Sequence, residues 1–147
     1  MFKHILVPTD GSKLSLKALD LAAGLANATN AQVSVLHVSP SYPTMVGGDG
    51  YMIAPITPKN WDISIAKGTA RVREQVEKRA AAKSVAVQFL SVTIDQPYLG
   101  IIDVAKRKKC DLIVMASHGR RGISALLIGS ETTKVLTHCK IPVLVCR

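Results

Sequence analysis

Five short, apolar, largely β-branched runs recur along this chain: HILV, QVSVLHV, VAVQFLSVTI, DLIVMAS and IPVLVCR. A run that is apolar at successive positions, rather than at alternate ones, has no face to offer water, so it belongs in a sheet covered on both sides. The stretches between the runs can supply that cover. Leu14, Ala18, Leu21, Ala22 and Leu25 recur at helical spacing after Ser12, which can cap their helix, and Ile65, Thr69, Val72 and Val76 line one face of a stretch running from residue 62 to about 83. PYLGIIDVAKRKK reads as a helix with Pro97 in its first turn, and SETTKVLTHC as a short last helix capped by Ser130. The order β-α-β-loop-α-β-α-β-α-β predicts an α/β fold with a single doubly wound, five-stranded, mostly parallel, Rossmann-like sheet flanked by helices. A length of 147 residues suits one domain, 1–147, with one core.

Residues 39–61 hold four prolines, three glycines and no sustained period, which predicts one long loop. Loops of that length inside a domain are commonly functional or mobile. This one leaves the second strand at its C-terminal end, so it is expected to flank or close over whatever binds there. Tyr42, Tyr51 and Trp61 are expected to pack on a partner or on the core.

Composition narrows the functional classes. The chain is 48% hydrophobic and 20% charged, too apolar for disorder. No apolar run approaches the roughly 18 residues of a membrane span, and MFKHILVPTDG meets Pro, Asp and Gly before a signal-peptide core can form, so the expected location is the cytoplasm. Cys110, Cys139 and Cys146 are an odd set without a C-x-x-C pair and read as small core hydrophobes. Nineteen basic against ten acidic residues give +9, which favours anionic partners in general. The densest basic run, KRKK at 106–109, falls where a helix ends and its dipole welcomes cations. With 4% aromatics and none interleaved with that run, nucleic acid is not the expected partner, nor is a membrane.

In a parallel sheet with right-handed crossovers the C-terminal ends of the strands share one edge, and ligands bind there at the point where strand order reverses. PTDGS, HVSP and MASHGRRG all follow strands at that edge. Gly119 and Gly122 follow the fourth strand and Gly129-Ser130 opens the last helix, so backbone N–H groups near a helix start could converge on one anion. Glycine suits such a loop because a Cβ blocks close approach and because nest conformations need positive φ. The Ser130 hydroxyl, Arg120 and Arg121 could add charge-assisted contacts. An ordinary strand-to-helix connection with turn residues and a cap uses the same residues.

HILVPTDGS, VLHV, DLIVMASHGRRG, LLIGSETTKVL and CKIPVLVCR, in that order, resemble the universal stress protein family (UspA-like), in particular its ATP-binding-motif subgroup with G-x2-G-x9-G-[S/T]. The resemblance covers nearly the whole chain. It implies the universal stress protein fold, ATP or AMP at the strand ends, with any Mg2+ or Mn2+ bound through the phosphates, and a homodimer. Gly119, Gly129 and Ser130 take the second, third and fourth motif positions with the x9 spacing kept, and Ala116 stands at the first glycine. By the same resemblance Pro8, Thr9 and Asp10 line the pocket beside the adenosine, Val38 meets adenine through its backbone, Met115, Ala116 and His118 belong to the pocket wall, and Glu131 and Thr132 offer N–H groups to phosphate. Ala116 extends the run DLIVM, which predicts a strand-like backbone with negative φ and a methyl directed away from the loop.

Rival readings remain open at this level. Asp10 serves equally as a turn or capping residue and as a ribose or metal-side contact. His118 beside Ser117 lacks the G-x-S-x-G elbow, so no catalytic residue is assigned; His4, His37 and His138 read as structural, and no spacing suggests a metal cage. The leading expectation is an adenine-nucleotide-binding sensor or regulator in the stress response, not an enzyme and at most a slow ATP hydrolase. A nucleotide-free dimeric interaction protein of the same fold is the alternative. An ATP pyrophosphatase-like enzyme is disfavoured, because Pro-Thr-Asp-Gly-Ser lacks the double glycine of S-G-G-x-D-S. The last strand, at 141–145, is expected to lie at a sheet edge and pair with its symmetry mate.

Overall fold

A computed structural model describes residues 1–42, 57–119 and 128–147. The elements follow the expected order: β1 (His4–Pro8), α1 (Lys13–Thr29), β2 (Gln32–Ser39), α2 (Pro58–Ala82), β3 (Val87–Thr93), α3 (Pro97–Arg107), β4 (Leu112–Ala116), α4 (Ser130–His138) and β5 (Val143–Cys146). The strands form one sheet in the order β3-β2-β1-β4-β5, and all four pairings are parallel. The order reverses between β1 and β4. β5 lies at an edge, as its sequence position suggested.

Alternation along each strand sorts the apolar side chains onto two faces. Ile5, Val7, Val33, Val35, Leu112 and Val114 face one cluster, completed by Ala18, Leu19, Ala22 and Ala26 of α1 and by Val72 and Val76 of α2. Leu6, Leu36, Ile113 and Met115 face the other, completed by Ile101, Val104 and Ala105 of α3 and Val135 of α4. Both faces of the central strands are thus covered, which is why β1 and β4 carry no polar alternation.

Local signals set most boundaries. The Ser12 hydroxyl caps α1 by accepting from the Ser15 N–H at 3.2 Å, and Asn30, at φ 55°, ends the helix. KRKK does close α3, with Lys108 as its C-cap. The expected loop is shorter than the sequence pattern suggested. Ser39 ends β2, and α2 starts at Pro58, with Pro in its first turn and Thr57 capping the Asn60 N–H at 3.3 Å. The prolines of this stretch argue for loop in general, but Pro58 sits where a missing N–H costs nothing. Trp61 lies in α2 and meets Tyr42 edge-on with ring centroids 6.0 Å apart. The mobility and closure expected of the loop, and the place of Tyr51, fall on residues 43–56, outside the described residues.

The structural reading of three histidines fits their bonds. The His4 ring sits between the Lys108 carbonyl (3.0 Å) and Ser34 Oγ (2.9 Å), His37 Nδ1 lies 3.0 Å from the Thr9 carbonyl, and His138 Nδ1 lies 2.8 Å from the Lys134 carbonyl. Cys110 and Cys146 are buried and Cys139 half-buried; all three are free, and burial pushes the Cys110 thiol up to about 11. Among the described residues no helix is long and apolar enough to cross a membrane.

Candidate functional site

The C-terminal ends of β1, β2 and β4 open onto two adjoining chambers at the point where strand order reverses. The first, of about 230 Å³, is bounded by Leu36, Val38, Ile101 and Met115 and floored by Pro8, Thr9 and Ala116. The second, of about 690 Å³, is bounded by Pro40, Asp95, Gly129 and Ser130. Asp10, Val38, Pro97, His118, Gly119, Glu131 and Thr132 belong to both. Among the described residues, Pro8, Thr9, Asp10, Val38, Met115, Ala116, His118, Gly119, Gly129, Ser130, Glu131 and Thr132, all singled out from the sequence, line one chamber or the other. Arg120, Arg121 and Gly122 lie outside the described residues.

Each wall is held by its own chemistry. Thr9 is buried; its N–H donates to the Leu36 carbonyl at 2.8 Å, and its hydroxyl lies 2.8 Å from Ser15 Oγ and accepts from the Gly11 N–H at 3.1 Å. Asp10 closes an Asx turn by accepting from the Ser12 N–H at 2.9 Å, so its turn role is real. Its other carboxylate oxygen packs against Gly119, where an added Cβ would come within 2.6 Å of Oδ2. The Thr132 hydroxyl donates to the Ala116 carbonyl at 2.9 Å, tying the first turn of α4 to the end of β4.

Three details of the expected anion cradle are corrected. The helix cap position of α4 is Gly129, and Ser130 is the first helical residue, so Ser130 is not the cap. The Gly129 N–H donates to the Ser117 carbonyl at 2.6 Å and is not offered to a ligand. Gly129 has φ −62°, and among the described residues Gly11 is the one glycine with positive φ. Gly129 is required instead by close approach: a Cβ there would lie 3.1 Å from the Ser117 carbonyl oxygen and 3.2 Å from His118 Cα. No side chain among the described residues caps α4, which leaves the first-turn N–H groups of Ser130, Glu131 and Thr132 for an anion.

Ala116 is the last residue of β4, buried, paired with Cys146 and not at positive φ, as the extension of DLIVM suggested. Ser117 is buried and outside both chambers, and its hydroxyl lies 3.1 Å from His118 Nδ1. Among the described residues no three His, Cys, Asp or Glu side chains are grouped to hold a metal.

Several lining residues escaped the sequence reading. Leu36 and Ile101 belong to the apolar periods of β2 and α3, which look alike whether they face a core or a cavity. Pro97 was legible only as the first turn of a helix, and Asp95, two residues before α3, was not singled out. The Glu131 side chain was missed as well: Oε2 accepts from the Tyr98 N–H of α3 at 2.9 Å, and Oε1 pairs with Lys134 at 2.8 Å.

An apolar chamber beside an uncapped helix start suits a ligand with one flat apolar end and one anionic end. Comparison with known proteins points to a single group. The family model described as the universal stress protein family matches residues 1–147. Universal stress protein YxiE of Bacillus subtilis is 32% identical over 154 residues, covering all of both chains. Protein MJ0577 of Methanocaldococcus jannaschii superposes with a TM-score of 0.80 at 25% identity, covering 99% of this chain and 96% of that one. A universal stress protein crystallised in complex with cAMP shares the fold, with a TM-score of 0.71 at 23% identity over 99% of this chain and 97% of its own.

Proposed function

This chain belongs to the universal stress protein family, and from that premise we propose that it binds an adenine nucleotide in the two-chamber cleft and acts as a sensor or regulator in the stress response. The observation that carries the reading is the convergence of Pro8, Thr9, Asp10, Val38, Met115, Ala116, His118, Gly119, Gly129, Ser130, Glu131 and Thr132 on one cleft from four separate elements and their turns. A relative of the same fold crystallised with cAMP supports the choice of adenine.

In this reading the base enters the apolar chamber between Val38 and Met115 and meets the backbone of Val38. The ribose lies by Asp10, and the phosphates take the N–H groups of Ser130, Glu131 and Thr132. AMP and ATP both fit this division. A Mg2+ or Mn2+ ion would arrive on the phosphates, since the described residues offer no cage of their own. In this reading the protein's role is retention and signalling rather than turnover, and any hydrolysis of ATP is slow. Mass spectrometry of small molecules released from the purified chain, followed by calorimetric titration with AMP and ATP, tests the reading. An adenine nucleotide is expected in the first and saturable heat in the second; the absence of both overturns it.

The nucleotide-free alternative turns on Ala116. Because its backbone is strand-like and its φ is not positive, a methyl group there costs no strain. Ala116→Gly is therefore expected to change nucleotide affinity by less than about tenfold, or ~1.4 kcal/mol. Titration of both proteins with ATP checks this. Binding that appears only in the glycine variant would make the wild-type chain a nucleotide-free interaction protein.

A homodimer through β5 is part of the proposal. β5 is an edge strand, and Leu144 on it and Leu136 on α4 are large apolar side chains left exposed. An unpaired apolar edge favours a second copy. Light scattering at micromolar concentration is expected to give the mass of a dimer, and Val143→Pro to give a monomer. A wild-type monomer, or a Val143→Pro dimer using the same surface, contradicts it.

A further inference from the structure

Resting on the nucleotide reading, we propose that Glu131 biases the cleft toward adenine nucleotides of low phosphate charge, a monophosphate above all, and against di- and triphosphates free of divalent metal. Glu131 is the second residue of α4 and lines both chambers, so its carboxylate lies at the helix end that the phosphates approach. A carboxylate in the first turn already occupies the favourable potential of the helix dipole. In this reading each further negative charge on a ligand approaches that carboxylate, whose half-buried side chain is paired with Lys134, so the repulsion is modest and sensitive to salt.

The carboxylate is not free to swing away. Oε2 accepts from the Tyr98 N–H at 2.9 Å, and Oε1 accepts from Lys134 at 2.8 Å. Gln96, at the N-cap position of α3, makes no side-chain capping bond, so Glu131 performs that service from the neighbouring helix. Releasing Glu131 from the cleft would uncap α3, whose Pro97 and Ile101 form the opposite wall. Asp95 adds a second anchored carboxylate at the outer chamber, where it accepts from the Ser41 N–H at 2.9 Å. Among the described residues lining the chambers there is no lysine or arginine. Lys134, the paired cation, belongs to neither lining.

One carboxylate thus does two jobs. It couples α3 to α4, and it makes the phosphate end of the cleft selective by charge. The two are separable, because glutamine keeps an oxygen for the Tyr98 N–H and loses the charge.

The test is calorimetric titration of the full chain with adenosine, AMP, ADP and ATP in EDTA at low salt, for wild type and Glu131→Gln, with thermal melting of each to show that it is folded. Wild type is expected to bind AMP more tightly than ADP, and ADP more tightly than ATP. Glu131→Gln is expected to raise ATP affinity by about fivefold or more while adenosine stays within about twofold, a differential that a purely structural role of Glu131 would not produce. Added salt is expected to narrow the gap between AMP and ATP in wild type. ATP bound as tightly as AMP by wild type overturns the proposal, as does an equal change for adenosine and ATP in Glu131→Gln. If neither adenosine nor AMP binds wild type, the nucleotide reading itself fails and takes this proposal with it.

Discussion

Gly129→Val is expected to weaken nucleotide binding by about 100-fold or more while leaving the chain folded. The position has ordinary φ, so the effect comes from space rather than strain. A Cβ would lie 3.1 Å from the Ser117 carbonyl oxygen and 3.2 Å from His118 Cα, and both are backbone atoms that cannot rotate aside. The start of α4 must move away, which breaks the 2.6 Å bond from the Gly129 N–H to Ser117 and withdraws the N–H groups of Ser130, Glu131 and Thr132. Hydrogen bonds to a charged group contribute about 1.5–3 kcal/mol each, so losing two exceeds the ~2.7 kcal/mol that a hundredfold requires. Gly129→Ala should fall between, because its single carbon needs only a few tenths of an ångström. Calorimetry with AMP or ATP, with a thermal melt as control, reads the series; a valine variant that binds like wild type places the phosphates elsewhere.

Ile113→Ala is expected to cost about 2–5 kcal/mol of folding stability, lowering the melting midpoint by roughly 6–15 °C for a chain of this size. Ile113 is fully buried, in a strand that pairs with β1 on one side and β5 on the other, and it packs among Leu6, Ile101 and Val135. A cavity there touches a strand, two neighbours and both helices of that face, and the middle of a sheet cannot collapse to fill it. Ile113→Val removes one methyl group and should cost about 0.5–1.5 kcal/mol. Chemical denaturation of the pair checks both values. A loss below about 1 kcal/mol in the alanine variant would show that this face repacks.

The α/β class was legible because both alternating faces of residues 5–8 and 112–116 are apolar, and only a sheet covered twice accepts such runs. The edge that carries the cleft was legible for a related reason: in a parallel sheet every strand ends on the same side, which brings PTDGS, HVSP and MASHG together. Where sequence reasoning fell short, one residue type had two uses. Pro58 was read as a loop breaker but serves as the opening of α2, and the two uses are distinguished only by how the residues after it pack. Gly129 was assigned to a conformation that needs positive φ, whereas its need is clearance from Ser117 and His118, atoms that reach it only once β4 and α4 are packed.

What the sequence by itself determined is the set of local signals: buried runs, the Ser12 cap, the basic end of α3, and a motif whose spacing places Gly119 and Gly129 at one edge. These depend on periodicity and on neighbours within a few residues, which are written directly in the order of amino acids. Tertiary structure alone decided that Leu36 and Ile101 face a cavity, that the Gly129 N–H is already spent on Ser117, and that the Glu131 carboxylate caps the Tyr98 N–H, 33 residues away in the chain. Each of those depends on a distance between elements that are remote in sequence. Apolar periodicity is the same for a core face and a pocket wall, and a hydrogen bond across such a gap leaves no periodic trace, so packing had to settle both.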